Sequence, residues 1–393
     1  MKILYISLLP INSNSSAMIR NHALIQGLVV QGHEVEFLCL NEVNNVHNQE
    51  PLIWHENVTI TTLNNQNEFN NLQGWTQSNS SSLKKKLKML IKSLFTKFSV
   101  FDSTYYILKK VESVRINHES YDLILSSSDP KTSHILAKKV IQQGVTYKKW
   151  IQYWGDPLAE DITNKTIYSK RTLKKVEANL FDKANHIIYV SPITLQQQIK
   201  NFPQFSNKLK FFPIPYANKT LSQKIHTNNI AIGYFGDYYE KFRNIMPLYN
   251  VINTEKNYHL RIVGNTNISL QPTEHIELSN RLPKNKVDEL ESETDVLVCL
   301  LNNKGTQIPG KIFHYAATDK PIIVLYEEGT DPRIINYLAS INRFNLCKNN
   351  ETEVKQVLND ANILRCTYKP VEQFDSKNVA NQLLKLIDEE NEC

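Results

Sequence analysis

The sequence predicts an α/β protein built from two Rossmann-like domains. Residues 2–40 alternate as strand, loop, helix and strand, the order that opens such a domain. A second apolar strand, residues 230–236, contains two glycines and begins the same order again. The chain has 393 residues, which is long for one hydrophobic core, and 41% of them are hydrophobic, which suffices for two cores.

The loop after the first strand carries the first candidate residues. Ser15 and Ser16 precede the first helix, and their hydroxyls could bond a phosphate, although glycines would allow closer backbone approach. Arg20 follows within the first turns of the helix and could reach an anion. A solvated arginine on the helix face is an equal alternative.

Residues 83–98 predict a basic amphipathic helix. Its apolar residues share one face and most of its lysines lie elsewhere; that apolar face holds Leu83, Leu87, Leu90, Ile91, Leu94 and Phe98. A helix of this type can lie on an anionic bilayer surface. The alternative is a helix packed on the first domain with a solvated lysine face.

Two strand ends in the first domain carry Asp-Pro pairs. Strand 150–154 runs into Gly155 and Asp156, at the sheet edge where parallel sheets bind ligands. Asp156 could bond a substrate hydroxyl or accept its proton, and the alternative is a helix cap. Asp129 and Pro130 follow another strand in the same way, but the pattern there is weaker, and we interpret Asp129 as a helix cap.

The composition changes after residue 217 and indicates the domain boundary. We expect the first domain to span residues 1–217, a polar linker to follow at 218–229, and the second domain to span 230–375. Residues 376–393 begin with an amphipathic pattern that predicts a C-terminal helix.

A basic cluster follows the first strand of the second domain. Lys241 and Arg243 come shortly after Gly236. We favour Arg243 as a phosphate ligand because a guanidinium binds phosphate through two hydrogen bonds. Asp237 would repel a diphosphate and is expected to point away from it. The alternative is that these cations are solvated loop charges.

Residues 305–325, GTQIPGKIFHYAATDKPIIVL, predict a loop, a helix and a strand buried on both faces. Backbone N–H groups at the helix start, with Lys311 beside them, would make a site for an anion such as a diphosphate. The alternative is an ordinary strand–helix–strand connection with a surface lysine.

The bulk properties exclude several classes of protein. The sequence has no run of about 18 apolar residues, so we expect no membrane-spanning helix, and its first strand shows no signal-peptide pattern. Five scattered cysteines favour reduced thiols in the cytoplasm and argue against a zinc site. A net charge of +6 suits an anionic ligand and is too weak to indicate nucleic acid.

Taken together, these motifs resemble those of GT-B glycosyltransferases, in particular glycosyltransferase family 4 of the bacterial surface-polysaccharide type. The resemblance covers nearly the whole chain and is most specific at residues 150–156, 234–245 and 308–324. It implies two Rossmann-like domains that face each other across a cleft, with the last helix returning to the first domain. It also implies a location in the cytoplasm or at the inner face of the cell membrane.

The resemblance implies retaining, metal-independent transfer of a sugar from a nucleotide-sugar to a glycan or lipid-linked acceptor, with no cofactor. Lys311 and Arg243 would then stabilise charge on the leaving diphosphate, and Asp156 would position the sugar or the acceptor. The donor would also contact Gly236, Lys241, Arg281, Leu282, Thr306, Gly310, Ile312 and His314. Ser15, Ser16 and Arg20 would form the acceptor or phosphate loop.

The chain departs from the family pattern at several positions. Family 4 enzymes usually carry two glutamates where Thr306 and His314 stand, and an arginine where Asp237 stands. The second glutamate normally binds the ribose hydroxyls, and neutral His314 could accept the same hydrogen bonds. Two alternatives remain: a sugar-nucleotide epimerase of the same fold, and a degenerate protein that only binds a partner transferase.

Overall fold

The computed structural model describes residues 1–42, 52–63, 90, 93–102, 104–110, 114–221, 229–255 and 257–388. The chain divides into two compact units. The first comprises Met1–Pro213 with Ser376–Cys393, and the second comprises Ile214–Asp375. The second unit therefore begins ahead of the predicted linker, of which residues 222–228 lie outside the described part.

The first unit contains a seven-stranded parallel sheet in the order β3-β2-β1-β4-β5-β6-β7. The strands are β1 (Lys2–Pro10), β2 (Glu34–Leu40), β3 (Val58–Leu63), β4 (Ser120–Ser127), β5 (Thr146–Trp154), β6 (His186–Tyr189) and β7 (Leu209–Phe211). Helices connect them: α1 (Ser16–Val29), α2 (Thr104–Lys110), α3 (Thr132–Gln142), α4 (Lys170–Phe181) and α5 (Pro192–Asn201). Most of the strands are apolar runs because helices cover both faces of such a sheet.

The second unit contains a six-stranded parallel sheet in the order β10-β9-β8-β11-β12-β13. The strands are β8 (Ile230–Phe235), β9 (Tyr258–Val263), β10 (Ile276–Ser279), β11 (Val296–Leu300), β12 (Ile322–Tyr326) and β13 (Asn345–Lys348). The helices are α6 (Met246–Thr254), α7 (Lys284–Ser292), α8 (Gly310–Tyr315), α9 (Pro332–Ser340), α10 (Glu351–Asn359) and α11 (Ala361–Leu364). Each unit has its own apolar core, and the predicted α/β class with two Rossmann-like units is confirmed.

The strand order reverses once in each sheet, and this decides where ligands can bind. In the first unit β1 pairs with both β2 and β4, and in the second β8 pairs with both β9 and β11. In each sheet, the chain continues from the central strand (β1 or β8) to a neighbour on one side and later returns to a neighbour on the opposite side. A crevice forms outside the carboxyl ends of the strands at such a point.

The C-terminal helix, α12 (Ser376–Asp388), packs on α1 within the first unit. Gly27 of α1 lies so close to Ser376 that a Cβ at Gly27 would collide with the Ser376 carbonyl. Gln31 donates a hydrogen bond of 3.2 Å to the Lys377 carbonyl. The chain thus crosses from the first unit to the second and back.

The predicted basic helix falls partly outside the described residues. Residues 83–89 and 91–92 are not described, whereas residue 90 and residues 93–98 are helical. The part of the chain that the structure describes contains no helix long and apolar enough to cross a membrane.

Candidate functional site

The first unit gathers polar groups where β1, β4 and β5 end. Arg20 of α1 is only 5% exposed. Its Nη2 donates to Ser127 Oγ at 3.4 Å, and its guanidinium lies 5.2 Å from the centre of the Tyr153 ring. The interpretation of Arg20 as a solvated helix-face arginine is therefore wrong, since tertiary packing buries this face of α1.

Asn21 fixes the start of α1 against the two central strands. Its Oδ1 accepts hydrogen bonds from Ser127 Oγ at 2.6 Å and from Tyr5 OH at 2.9 Å. Its Nδ2 donates to Ser7 Oγ at 3.0 Å. All of these groups are buried and hydrogen-bonded, so they fix the start of α1 next to Arg20. The Arg20 Nε is itself buried and has no hydrogen-bond partner among the described residues.

A buried lysine organises the carboxylates of this edge. Lys131 Nζ lies 2.7 Å from Asp129 Oδ1 and 3.5 Å from Asp161 Oδ2. Burial alone would lower the Lys131 pKa, but Asp129, Asp161 and Asp156 together hold it above its ordinary value. The interpretation of Asp129 as a helix cap is wrong: residue Lys131 precedes α3, and no side chain caps that helix.

Asp156 is a half-buried carboxyl beside this ion-pair cluster. Burial raises the Asp156 pKa to about 7; Asp129 and Asp161 add to the shift, while Lys131 and Arg20 oppose it. The alternative of a helix cap is wrong for Asp156 as well, because the next helix after Asp156 is α4, which begins only at Lys170. A carboxyl that titrates near neutral pH suits proton exchange with a substrate hydroxyl.

Gly155 lies close to two side chains beside this carboxyl. A Cβ at Gly155 would collide with Arg20 Nη1 and would approach Asp129 Oδ2 to 3.3 Å. The backbone N–H of Gly155 donates to Ser128 Oγ at 3.1 Å, which joins the ends of β4 and β5. The glycine therefore lets the arginine approach the carboxylates.

The two predicted loop serines have different places. Ser15 is the N-cap of α1, and its Oγ accepts from the Met18 N–H at 3.2 Å. Ser16 is the first residue of the helix and is exposed. The Ser15 hydroxyl is thus already engaged in capping, whereas Ser16 faces solvent.

In the second unit, Asp237 follows β8 and is turned toward the loop after β9. Its Oδ1 accepts from the Asn265 N–H at 2.9 Å, and its Oδ2 pairs with Arg281 Nη2 at 3.0 Å. The two loops touch: a Cβ at Gly264 would collide with the Gly236 carbonyl. The carboxylate that stands where the family carries an arginine is therefore neutralised by Arg281.

Arg243 is anchored at the point where the strand order of the second sheet reverses. Its Nε donates to Asn302 Oδ1 at 2.9 Å, and Asn302 lies buried just after β11. The Asn302 carbonyl accepts from Thr330 Oγ1 at 3.1 Å. The bond from Arg243 to Asn302 uses only Nε, so the two terminal guanidinium nitrogens of Arg243 can donate to another acceptor. Lys241 is exposed, and its carbonyl accepts from Asn303 Nδ2 at 2.6 Å.

Lys311 and His314 share one carboxylate, that of Glu291 in the last turn of α7. Glu291 Oε1 pairs with Lys311 Nζ, and Oε2 lies 3.3 Å from His314 Nε2. Burial would raise the Glu291 pKa, but Lys311 and His314 outweigh burial and lower it to about 2. Glu291 was not predicted from the sequence, because nothing in the pattern of α7 marks one glutamate of a charged helix as different.

The same region holds a group of potential metal ligands. One oxygen or nitrogen from each of Asp288, Glu291 and His314 lies within 4.8 Å of the others. However, Asp288 pairs with Lys284 and Glu291 pairs with Lys311. A cation would have to displace two lysines, so these residues fit an ion-pair cluster better than a metal centre.

The remaining predicted donor residues differ in accessibility. Leu282, Thr306 and Gly310 are half-buried in the second unit, whereas the Ile312 side chain is fully buried in its core. Ile312 can therefore reach a ligand only through its backbone. Helix α8 has six residues, too few for a strong macrodipole, so Lys311 supplies the positive charge here.

Comparison with known proteins shows the fold of the chain. No family model and no curated protein matches the sequence. Among solved structures, the chain is similar to sucrose-phosphate synthase from Thermosynechococcus elongatus, with a TM-score of 0.57, 11% identity and 98% of both chains covered. It is also similar to Anabaena Alr3699/HepE in complex with UDP and glucose, with a TM-score of 0.55, 12% identity and 98% of both chains covered.

A third similar structure is that of OtsA, with a TM-score of 0.55, 9% identity and 99% of both chains covered. Identities this low carry information about architecture and not about activity. The likeness extends over both units and both parallel sheets. The chain therefore has the GT-B fold.

Proposed function

We propose that this protein is a glycosyltransferase that takes its sugar from a nucleotide-sugar. The observation that carries the proposal is the placement of two cations, Arg243 and Lys311, on the segments that follow β8 and β11. These two strands flank the reversal of strand order, where a GT-B chain of this architecture would bind a ligand. A structure of the same fold contains UDP and glucose, which supports a nucleotide-sugar as the donor.

Arg243 and Lys311 act on the diphosphate in this proposal. Negative charge grows on the leaving diphosphate as the bond to the sugar breaks, and fixed cations lower the energy of that state. Asn302 orients Arg243, and Glu291 orients Lys311. His314, held by the same Glu291, takes the place of the ribose-binding glutamate of family 4.

Asp156 acts on the acceptor in this proposal. Its raised pKa lets it accept a proton from an attacking hydroxyl near neutral pH. The transfer retains the configuration of the sugar and requires no metal, and the acceptor is a glycan or a lipid-linked sugar of a bacterial surface polysaccharide. Arg20 and Ser16 complete the acceptor side.

A thermal-shift panel with UDP, GDP, CDP and ADP tests donor binding. One nucleotide should stabilise the protein by about 2.7 kcal/mol when present at about a hundredfold excess over its dissociation constant. The Lys311→Ala variant should lose that shift. Lys286→Ala is the matched control, since Lys286 is an exposed lysine of the same unit that pairs with Glu289 rather than with Glu291.

Enzyme activity requires a second readout, the release of nucleotide from the matching nucleotide-sugar when a glycan acceptor is added. Release that depends on the acceptor indicates a transferase. Interconversion of the sugar without an acceptor would instead indicate the epimerase, and binding without either reaction would indicate the degenerate protein. No shift with any nucleotide would contradict the proposed donor site.

A further inference from the structure

Four exposed apolar side chains of the first unit come from two neighbouring segments. Leu94 and Phe98 are 46% and 59% exposed, and Ile167 and Tyr168 are 61% and 42% exposed. Large apolar side chains scattered singly over a surface need no explanation, but a contiguous group usually marks an interaction site. These four come from two segments about 70 residues apart in the chain.

Hydrogen bonds hold the two segments together. The Ile167 N–H donates to the Lys97 carbonyl at 3.0 Å, and Thr166 Oγ1 donates to the same carbonyl at 3.1 Å. Tyr168 OH donates to the Phe98 carbonyl at 3.5 Å. Leu94 and Phe98 are one helical turn apart and therefore share a face of their helix. The four side chains thus belong to one surface.

Positive charge borders this surface. Between Asp161 and Glu177 the chain carries five lysine and arginine residues and no acidic residue. Glu160 pairs with Lys170 at 2.5 Å and lies 3.8 Å from Lys174. Arg171 and Lys175 are exposed and form no ion pair with another residue that the structure describes. Helix α4 begins directly after Tyr168 and Ser169, so these cations adjoin the apolar group.

We propose that Leu94, Phe98, Ile167, Tyr168, Arg171 and Lys175 form a surface that docks on an anionic lipid bilayer. A free polyanion would pair with the cations but would gain nothing from the leucine, phenylalanine and isoleucine. A bilayer satisfies both parts, because the apolar side chains enter the boundary of the acyl chains while the cations meet anionic headgroups. Tyrosine favours that same boundary.

The surface is independent of the proposed donor site, which lies in the second unit. It gives a role to residues that have none in the proposed sugar transfer. It also predicts where the first unit would meet a lipid-linked substrate. The experiment must therefore separate membrane binding from nucleotide binding.

Vesicle flotation of the full-length protein tests the proposal. The wild type should float with mixed phosphatidylglycerol–phosphatidylcholine vesicles, float far less with pure phosphatidylcholine vesicles, and detach as salt is raised. Ile167→Glu should abolish flotation, and the double variant Arg171→Glu/Lys175→Glu should weaken binding on the order of tenfold or more, since each cation near such a surface adds about 1 kcal/mol.

Two matched controls change the same chemistry elsewhere. Ile53→Glu places a charge at another exposed isoleucine of the first unit, and Arg365→Glu/Lys369→Glu reverses two exposed charges of the second unit. Both should float like the wild type. All variants should keep the wild-type melting temperature and nucleotide shift without vesicles. Equal flotation of Ile167→Glu and Ile53→Glu, or no flotation of the wild type, would overturn the proposal.

Discussion

Glu291 shows how much a single buried carboxylate contributes to the second unit. It pairs with Lys311 and His314 at once, and its own side chain is nearly buried. Removing its charge leaves Lys311 without a fixed partner, although Lys311 is exposed enough to be solvated in part. Glu291→Gln should therefore lower the free energy of unfolding at neutral pH by about 2 kcal/mol, less than for a fully buried pair.

Urea unfolding measures this loss. The matched control is Glu289→Gln on the same helix, where an exposed pair with Lys286 contributes little. The pH dependence gives a second check: a pKa lowered from 4.5 to about 2 stabilises the folded chain fully above 4.5. The difference between wild type and Glu291→Gln should thus vanish as pH falls from about 4.5 to 2. A constant difference would show that the charge of Glu291 is not its cause.

If the proposed sugar transfer is correct, Asp156 should control the pH dependence of its rate. Its pKa of about 7 means that the basic form accumulates as pH rises through neutrality, so the rate should rise over the same range. Asp156→Asn should lower the rate and remove this rise. Asp161→Asn removes a neighbouring negative charge and should move the rise to lower pH by up to about one unit.

Asp182→Asn serves as the control for Asp161→Asn, because Asp182 is an exposed residue at the end of α4. Its pH profile should match that of the wild type. If the rate still rises with pH in Asp156→Asn, a residue other than Asp156 accepts the proton.

At the scale of elements, the packing of α12 on α1 depends on one glycine. Alanine favours a helix more than glycine does, yet a Cβ at Gly27 would meet the Ser376 backbone, which cannot rotate away. We expect Gly27→Ala to destabilise the protein by about 2 kcal/mol in chemical denaturation, as overpacking usually does. Gln26→Ala, one residue earlier and half-buried, should change stability little. A stabilised Gly27→Ala would contradict the close packing of the two helices.

The element boundaries follow the sequence closely where the pattern is strong. The strand, loop, helix and strand predicted for residues 2–40 are β1, α1 and β2 of the structure. The strand predicted at residues 230–236 is β8, and the helix and strand predicted within residues 305–325 are α8 and β12. Apolar runs and breakers act locally, which is why strands and helices could be predicted from neighbouring residues.

At the scale of the whole molecule, two separate parallel sheets with their own cores explain the division of the chain. The predicted linker at residues 218–229 was inferred from polar composition. In the structure, the segment from Ile214 belongs to the second unit, where the Tyr216 N–H donates to the Phe374 carbonyl at 2.9 Å. Composition indicates how polar a segment is, but the hydrogen bonds of its backbone show to which unit it belongs.

The α/β class, the doubled Rossmann-like order, most elements and the candidate cations Arg243 and Lys311 could all be predicted from residue patterns. These depend on periodicity and on short motifs, which are properties of neighbouring residues. The burial of Arg20, the pairing of Asp129 with Lys131 and the link from Glu291 to Lys311 and His314 became visible only once the chain was folded. Each of these depends on charges brought together by packing, and the free energy of a charge is set by its surroundings rather than by its place in the chain.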